Sequence, residues 1–114
     1  MECIFCKIIN KELPATIEYE DDGFIAFDDI HPRAPVHILI IPKEHRIKSA
    51  FEISEKDLPV IGRLIYVAKK IAEKKDSLKN GYRLAFNVGD NGGAVIEDHI
   101  HLHLLGGKKL GPEG

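Results

Sequence analysis

Residues 99–105 are His99-Ile100-His101-Leu102-His103-Leu104-Leu105, a run in which imidazole and aliphatic side chains alternate. In a β-strand, alternate side chains share one face. The three histidines therefore line one face of the predicted strand, and Ile100, Leu102 and Leu104 line the other. We expect the aliphatic face to pack on the core beneath a helix, which leaves the imidazole face free to line a site.

Strand spacing limits what the three histidines can do together. Alternate strand residues lie about 6.6 Å apart, so His99 and His103 are separated by about 13 Å. Two adjacent imidazoles can meet on one zinc ion at about 2.0 Å each, but all three cannot easily do so. At least one histidine therefore has another task. A lone histidine is commonly only a surface residue, but three in strict alternation favour a functional site.

The rest of the chain predicts further strands and two helices around this segment. The apolar, β-branched run over 36–41 favours a central strand covered on both faces, and Asp21-Asp22-Gly23 is typical of a hairpin turn. Ser54 with Asp57 resembles a capping box at the start of a long helix. The predicted elements are a short helix over 3–10, strands over 16–20, 24–28, 36–41, 82–88 and 99–105, and a helix over 54–75 with the apolar stripe Leu58, Ile61, Ile65, Ala68 and Ala72. This order predicts an α+β fold, an antiparallel sheet with helical cover on one face.

Composition and charge narrow the class of protein. Apolar residues make up 44% and charged residues 30% of the 114 residues, with a net charge of -2, which is ordinary for a soluble domain. This balance predicts no general attraction to nucleic acid or to a membrane surface, so any phosphate recognition must be local. No basic segment followed by an apolar run opens the chain, and no run approaches the roughly 20 apolar residues that span a bilayer. We expect a single cytoplasmic domain over residues 1–114.

The only two cysteines, Cys3 and Cys6, form a C-x-x-C motif at the start of the chain. A structural disulfide is unfavourable in a reducing compartment, which leaves metal binding, redox chemistry or coincidence. A redox C-x-x-C usually follows a strand, and no strand is predicted here. The pair supplies at most two of the four ligands of zinc, and the chain has six histidines that could supply the others.

The histidine segment resembles the H-φ-H-φ-H-φ-φ signature of the histidine-triad (HIT) nucleotide-binding superfamily, where φ is an apolar residue. Other motifs of that family occur in the expected order along nearly the whole chain. They are residues 3–8 (CIFCKI), 25–30 (IAFDDI) with Pro32 and Ala34-Pro35, 37–45 (HILIIPKEH), 81–84 (GYRL) with Asn87, Gly92-Gly93, and 104–107 (LLGG). The last of these resembles the purine nucleoside phosphoramidase branch.

The resemblance implies a HIT-like fold, with five antiparallel strands, one long helix and a short N-terminal helix, paired as a homodimer. His101 would attack the α-phosphorus of a nucleoside 5′-phosphoramidate and form a covalent nucleotidyl-histidine, which water then hydrolyses. Its second ring nitrogen would be oriented by a hydrogen bond, typically to a backbone carbonyl. His103 and His37 would hold the phosphate oxygens as charge develops.

The resemblance also implies a pocket for a purine nucleotide of the AMP or GMP type. Asp29 would accept hydrogen bonds from the ribose hydroxyls, and Asn87 would assist at the phosphate. Backbone N–H groups of the glycine loop and the residues after it would surround the phosphate. The remaining expected nucleotide-binding residues are Gly93, Val95 and Ile96 in that loop, and Ile4, Phe5, Ile8 and Ile30 as an apolar slot for the base. Without the resemblance, core packing would be the preferred reading of the last four.

Zinc-containing relatives use two cysteines, the histidine after P-K-x and the first histidine of the triad as ligands. By this resemblance the ligands here are Cys3, Cys6, His45 and His99. Such a closed Cys2His2 set suits a structural zinc ion. His99 then binds metal, His101 reacts and His103 holds phosphate.

One departure from the family pattern lies before the triad. Five residues, Ala94 to Asp98, separate the Gly-Gly from His99 where most relatives have four, and none carries a hydroxyl. The longer, more acidic loop leaves two alternatives open, a nucleotide- or partner-binding protein without catalysis, or a hydrolase of dinucleoside polyphosphates. The short chain and its Leu-Leu-Gly-Gly ending favour phosphoramidate hydrolysis over the second. The sequence assigns no role to His31.

Overall fold

The sheet has five strands, and the histidine strand lies inside it. The computed structural model describes residues 3–95 and 98–112. The helices are α1 (Ile4–Ile9) and α2 (Leu58–Glu73), and the strands are β1 (Ile17–Glu20), β2 (Phe24–Asp28), β3 (Val36–Pro42), β4 (Tyr82–Ala85) and β5 (Leu102–Gly106). All neighbouring strands are antiparallel, in the order β1-β2-β3-β5-β4. This confirms the predicted α+β fold with one long and one short helix.

Strand register places two of the site histidines on neighbouring strands. β5 lies between β3 and β4, and Leu39 of β3 is opposite His103 of β5. His37 is two residues from Leu39, so its side chain points to the same face of β3. A histidine pair therefore forms across the two central strands.

Each face of the sheet packs against a different helix. Ile38 and Ile40 of β3 pack with Leu64 and other buried residues of α2, whereas Leu39 and Ile41 pack with Phe5 of α1. This confirms that the central strand is covered on both faces. Leu102 and Leu104 of β5 belong to the α2 cluster, so the aliphatic face lies beneath the long helix as predicted.

The long helix begins later than predicted and buries a different stripe. A 3₁₀ turn, Glu55–Asp57, carries the Ser54–Asp57 capping box, and the α-helix begins at Leu58. Pro59 lacks an N–H group and is tolerated in this first turn. Leu58 and Ile65, predicted to be core residues, are 57% and 45% exposed. The buried stripe is Leu64, Val67, Ala68, Ile71 and Ala72, because the helix is rotated so that the bulky Leu64, Val67 and Ile71 are buried together with the two predicted alanines.

The last two strands are shorter than predicted. β5 begins at Leu102 rather than His99, and β4 ends at Ala85 rather than Val88. The segment before β5 makes hydrogen bonds outside the ladder: the Ile100 N–H donates to the Ile47 carbonyl at 2.9 Å. Among the described residues, no helix is long and apolar enough to cross a membrane.

Candidate active site and metal centre

Three histidine rings lie side by side at the face of the sheet that α1 partly covers. The ring centroids of His37 and His103 are 5.2 Å apart, and those of His101 and His103 are 5.0 Å apart. The Phe5 ring packs edge-on against His101 at 5.1 Å. The three residues expected to do the chemistry are therefore in contact.

A chain of hydrogen bonds assigns the protons of His37 and His103. The backbone N–H of Arg33 donates to His37 Nδ1 at 3.1 Å, so the neutral His37 ring carries its proton on Nε2. His37 Nε2 lies 2.9 Å from His103 Nδ1, which must accept that proton. The proton of neutral His103 then lies on Nε2, where it is a donor for a ligand oxygen. Asp29 Oδ2, 3.4 Å from His37 Nε2, lies beside this chain.

The His101 ring is oriented by the backbone. Its Nδ1 lies 2.9 Å from the carbonyl oxygen of His99, an atom that can only accept, so Nδ1 donates and Nε2 keeps a lone pair. Burial lowers the pKa of His101, and a backbone hydrogen bond to His99 opposes this only in part. His101 is thus a neutral imidazole with an available nucleophilic nitrogen.

The other two rings are also neutral at neutral pH. Burial lowers the pKa of His37, with a contribution from the charge of Arg33. Burial makes the largest contribution to lowering the pKa of His103 to about 4, and the neighbouring His101 and His37 contribute in the same direction. The site therefore offers hydrogen-bond donors and a nucleophile, but its rings carry no positive charge.

A cavity of about 330 Å³ opens beside these rings. It is lined by Asp29, His31, Arg33, Leu39, Asn87, Gly93, Val95, His101 and His103, which brings together most of the predicted phosphate and ribose residues. Asn87 Nδ2 donates to the Gly92 carbonyl at 2.9 Å and fixes the glycine loop. One oxygen of Asp29 accepts from the His31 N–H at 2.9 Å.

Three residues that line the cavity were not predicted, namely His31, Arg33 and Leu39. Leu39 could have been found from the strand register, since it faces His103 across the ladder. Arg33 lies in a loop with no periodic pattern, and only its position four residues before His37 hints at its place.

The expected base slot is divided between core and surface. Phe5 and Ile8 are buried in the cluster between α1 and the sheet. Ile4 and Ile30 are 45% and 77% exposed, and neither lines the cavity beside His101 in the described part of the chain. The base-binding role of the four residues stays a prediction. Ile96, also expected at the nucleotide, lies outside the described residues.

The four predicted metal ligands converge at the N-terminal end of α1. One ligand atom each from Cys3, Cys6, His45 and His99 lies within 4.8 Å of the others. Cys3 Sγ is 3.4 Å from His99 Nδ1, and Cys6 Sγ is 3.2 Å from His45 Nδ1. The geometry therefore assembles two sulfur and two nitrogen donors around one point.

The protonation of this cluster suits a metal cation. His99 Nε2 donates to the Pro42 carbonyl at 2.7 Å, and His45 Nε2 donates to the Asp98 carbonyl. Both Nδ1 atoms therefore direct lone pairs at the sulfurs, as is usual for metal-bound histidines. Burial and the neighbouring Cys3 raise the pKa of the Cys6 thiol to about 11, so a thiolate pair needs a cation here. The donor set fits tetrahedral zinc.

A second group of possible ligand atoms lies in the active site. Atoms of Asp29, His37 and His103 also lie within 4.8 Å of one another. Here His37 Nε2 carries a proton because its Nδ1 is already an acceptor. The hydrogen bonds of these three residues therefore account for their close approach.

Known proteins resemble this chain in sequence and in fold. Residues 2–112 match the family model described as "Scavenger mRNA decapping enzyme C-term binding". A purine nucleoside phosphoramidase of Escherichia coli is 49% identical over 111 residues, which cover 97% of this chain and 92% of that protein. A 14 kDa zinc-binding protein of Brassica juncea is 44% identical over 110 residues, 96% of each chain. Among solved structures, a HIT family hydrolase from Clostridium thermocellum has a TM-score of 0.91 at 48% identity, covering 98% of this chain and 96% of that one.

Proposed function

Because the chain belongs to the histidine-triad (HIT) superfamily, we propose that it hydrolyses purine nucleoside 5′-phosphoramidates, such as adenosine 5′-monophosphoramidate, through a covalent nucleotidyl-histidine on His101. The observation that carries the proposal is the neutral His101 ring, held by the His99 carbonyl at 2.9 Å. The name of the Escherichia coli relative, a purine nucleoside phosphoramidase, supports the substrate class.

In the first step, the lone pair of His101 Nε2 attacks the α-phosphorus, and the P–N bond to the amine breaks. The amine leaves with the bonding electron pair and takes up a proton from solvent. His103 Nε2–H donates to a phosphoryl oxygen as negative charge develops there, which stabilises the transition state. His37 keeps His103 in this tautomer through the 2.9 Å hydrogen bond between the rings.

In the second step, water attacks the phosphorus of the nucleotidyl-histidine, and the bond from phosphorus to His101 Nε2 breaks. The products are a nucleoside 5′-monophosphate and the neutral imidazole. Asn87 holds the glycine loop through its bond to Gly92, and Asp29, which lines the same cavity, would accept a hydrogen bond from a ribose hydroxyl. Splitting one displacement into two lowers the barrier of each.

The proposal includes a structural zinc ion held by Cys3, Cys6, His45 and His99. Zinc bound by four protein ligands has no open position, so it supplies cross-linking of the chain rather than Lewis-acid chemistry. The zinc-binding relative from Brassica juncea supports this assignment. The free thiols of Cys3 and Cys6 also suit a reducing compartment, and we therefore infer a cytoplasmic location.

The test of the proposed function is turnover of an adenosine 5′-phosphoramidate that carries a fluorescent amine. We expect release of the amine and of AMP in equal amounts. Binding of AMP without release would instead favour a binding protein, and faster cleavage of a diadenosine polyphosphate would favour the alternative hydrolase. Either result would overturn the assignment.

The pH dependence of kcat/KM should reflect the lowered pKa values of the triad. An unperturbed imidazole has a pKa of about 6.5, but burial lowers the pKa of His37 and brings that of His103 to about 4. Activity should therefore stay constant from pH 8 to below 6.5 and fall only at lower pH. Steady-state assays from pH 4 to 8, corrected for uncatalysed hydrolysis, measure this. An acid limb with its midpoint at or above 6.5 would contradict it.

We also propose that the chain is a homodimer joined along β4 and α2. β4 is an edge strand with free backbone groups, and such an edge readily pairs with another chain. Tyr82 of β4 is 39% exposed, and Ile65 and Tyr66 of α2 are 45% and 49% exposed. Light scattering after gel filtration should give twice the mass of the chain, and Ile65→Glu should give a monomer. A wild-type monomer at micromolar concentration would contradict the dimer.

A further inference from the structure

The cavity of about 330 Å³ beside His101 holds one permanently charged cation among its described lining residues. Of these described residues, Arg33 is the one lysine or arginine and Asp29 is the one carboxylate. Neutral imidazoles donate hydrogen bonds but do not balance the charge of a bound phosphate. Arg33 is therefore the residue of this cavity that can supply the charge.

Arg33 is anchored beside the triad by its own backbone. Its N–H donates to His37 Nδ1 at 3.1 Å, and the prolines at positions 32 and 35 restrict the loop on either side. The guanidinium charge reaches the site, because it contributes to the lowered pKa values of both His37 and His103. Arg33 and His103 also line the same cavity.

The guanidinium of Arg33 differs from those of the other three arginines. Arg46 pairs with Asp57 and Glu44, Arg63 pairs with Asp21, and Arg83 donates to the Gly111 carbonyl. Within residues 3–95 and 98–112, the Arg33 guanidinium makes no such hydrogen bond or ion pair. An arginine held at a cavity without a protein partner is available to a ligand.

We propose that Arg33 binds a phosphate group of the nucleotide, a role that rests on the proposed function and goes beyond it. A guanidinium offers two parallel N–H donors that match phosphate oxygens. The phosphate is either the 5′-phosphate that His101 attacks or a phosphate on the ribose, since Arg33 lies close to Asp29 and His31 in the same cavity. The shared chemistry is an anionic phosphoryl group esterified to a nucleoside.

Calorimetric titration with adenosine, AMP and adenosine 3′-monophosphate tests this role. We expect Arg33→Gln to weaken binding of at least one phosphorylated ligand about 5- to 20-fold, the range of a partly exposed charged hydrogen bond, and to leave adenosine unchanged. Arg33→Lys should recover part of the loss, because it restores the charge without the paired donors. The two phosphorylated ligands show which phosphate is bound. Arg63→Gln, which removes a paired arginine on α2, should bind all three ligands as the wild type does.

Two results would overturn the role of Arg33. Unchanged affinity for both phosphorylated ligands would show that the cation does not contact phosphate, and an equal loss for adenosine would show a structural role only. The proposed function is tested separately by the affinity of the wild type for AMP. If the wild type binds AMP and Arg33→Gln binds it equally well, only the role of Arg33 is disproved. Wild-type protein that binds none of the three ligands would disprove both.

Discussion

Replacement of His101 by alanine should lower kcat/KM for an adenosine 5′-phosphoramidate by at least about 10⁴-fold, the scale seen when a covalent nucleophile is removed. The imidazole provides the only attacking atom in the proposed first step. His103 and His37 keep their hydrogen bond in this variant, since His101 is not part of that chain. AMP should therefore still bind within a few-fold of its wild-type affinity.

Amine release, AMP titration and intact-protein mass spectrometry together measure this outcome. Rapidly quenched wild type should carry a nucleotidyl adduct that acid releases, as expected for a phosphorus–nitrogen bond, and His101→Ala should carry none. The Arg63→Gln variant controls for an arbitrary surface change. Equal turnover by wild type and His101→Ala would mean that the reaction does not pass through this ring.

The shared face of the three triad histidines was predictable because strand geometry has a period of two, whereas the choice of His101 as the proposed nucleophile came from the family resemblance. The alternation over 99–105 assigns each ring to one face without knowledge of the neighbours. The structure keeps this arrangement even though the regular strand begins only at Leu102. The place of His37 in a central strand was predictable from the apolar run around it, but its expected role came from the family resemblance.

Features that depend on loop conformation or on the rotation of a helix about its axis could not be predicted from the sequence. The position of Arg33 follows from a backbone hydrogen bond across a loop, which no periodicity encodes. The proton positions on His37 and His103 depend on that same bond. On α2, two apolar stripes share Ala68 and Ala72, and only packing against the sheet decides that Val67 and Ile71 are buried rather than Leu58 and Ile65.

The structure also adds a connection between the two sites that the ligand assignment alone does not contain. The side chain of His99 lies in the metal centre, and its carbonyl oxygen accepts from His101 Nδ1. Phe5 lies on α1, between Cys3 and Cys6 in the sequence, and packs edge-on against both His99 and His101. Loss of the metal should therefore loosen α1 and the segment before β5 together.

The variant Cys6→Ala should lose zinc and melt about 10 °C below the wild type. Loss of one ligand opens a four-ligand site whose binding free energy is part of the folding free energy, and 1 kcal/mol corresponds to roughly 4 °C in a domain of this size. Cys6 suits the test because it is only partly buried, so its own packing contributes little. At temperatures where the variant remains folded, kcat/KM should fall less than tenfold, because the sheet still holds His103 and His37.

Mass spectrometry measures the bound metal, and thermal unfolding measures the stability. Wild type treated with a chelator provides a second route to the zinc-free protein. We expect the chelated wild type to melt as low as Cys6→Ala and to regain its stability when zinc is restored, whereas the variant should not. His31→Ala, which removes a histidine outside the metal centre, should keep one zinc ion per chain and a near wild-type melting temperature. Freshly purified wild type without zinc would contradict the assignment. If zinc is present but Cys6→Ala melts like the wild type, the metal does not stabilise the fold, and the link from His99 to His101 would have to be held by the sheet alone.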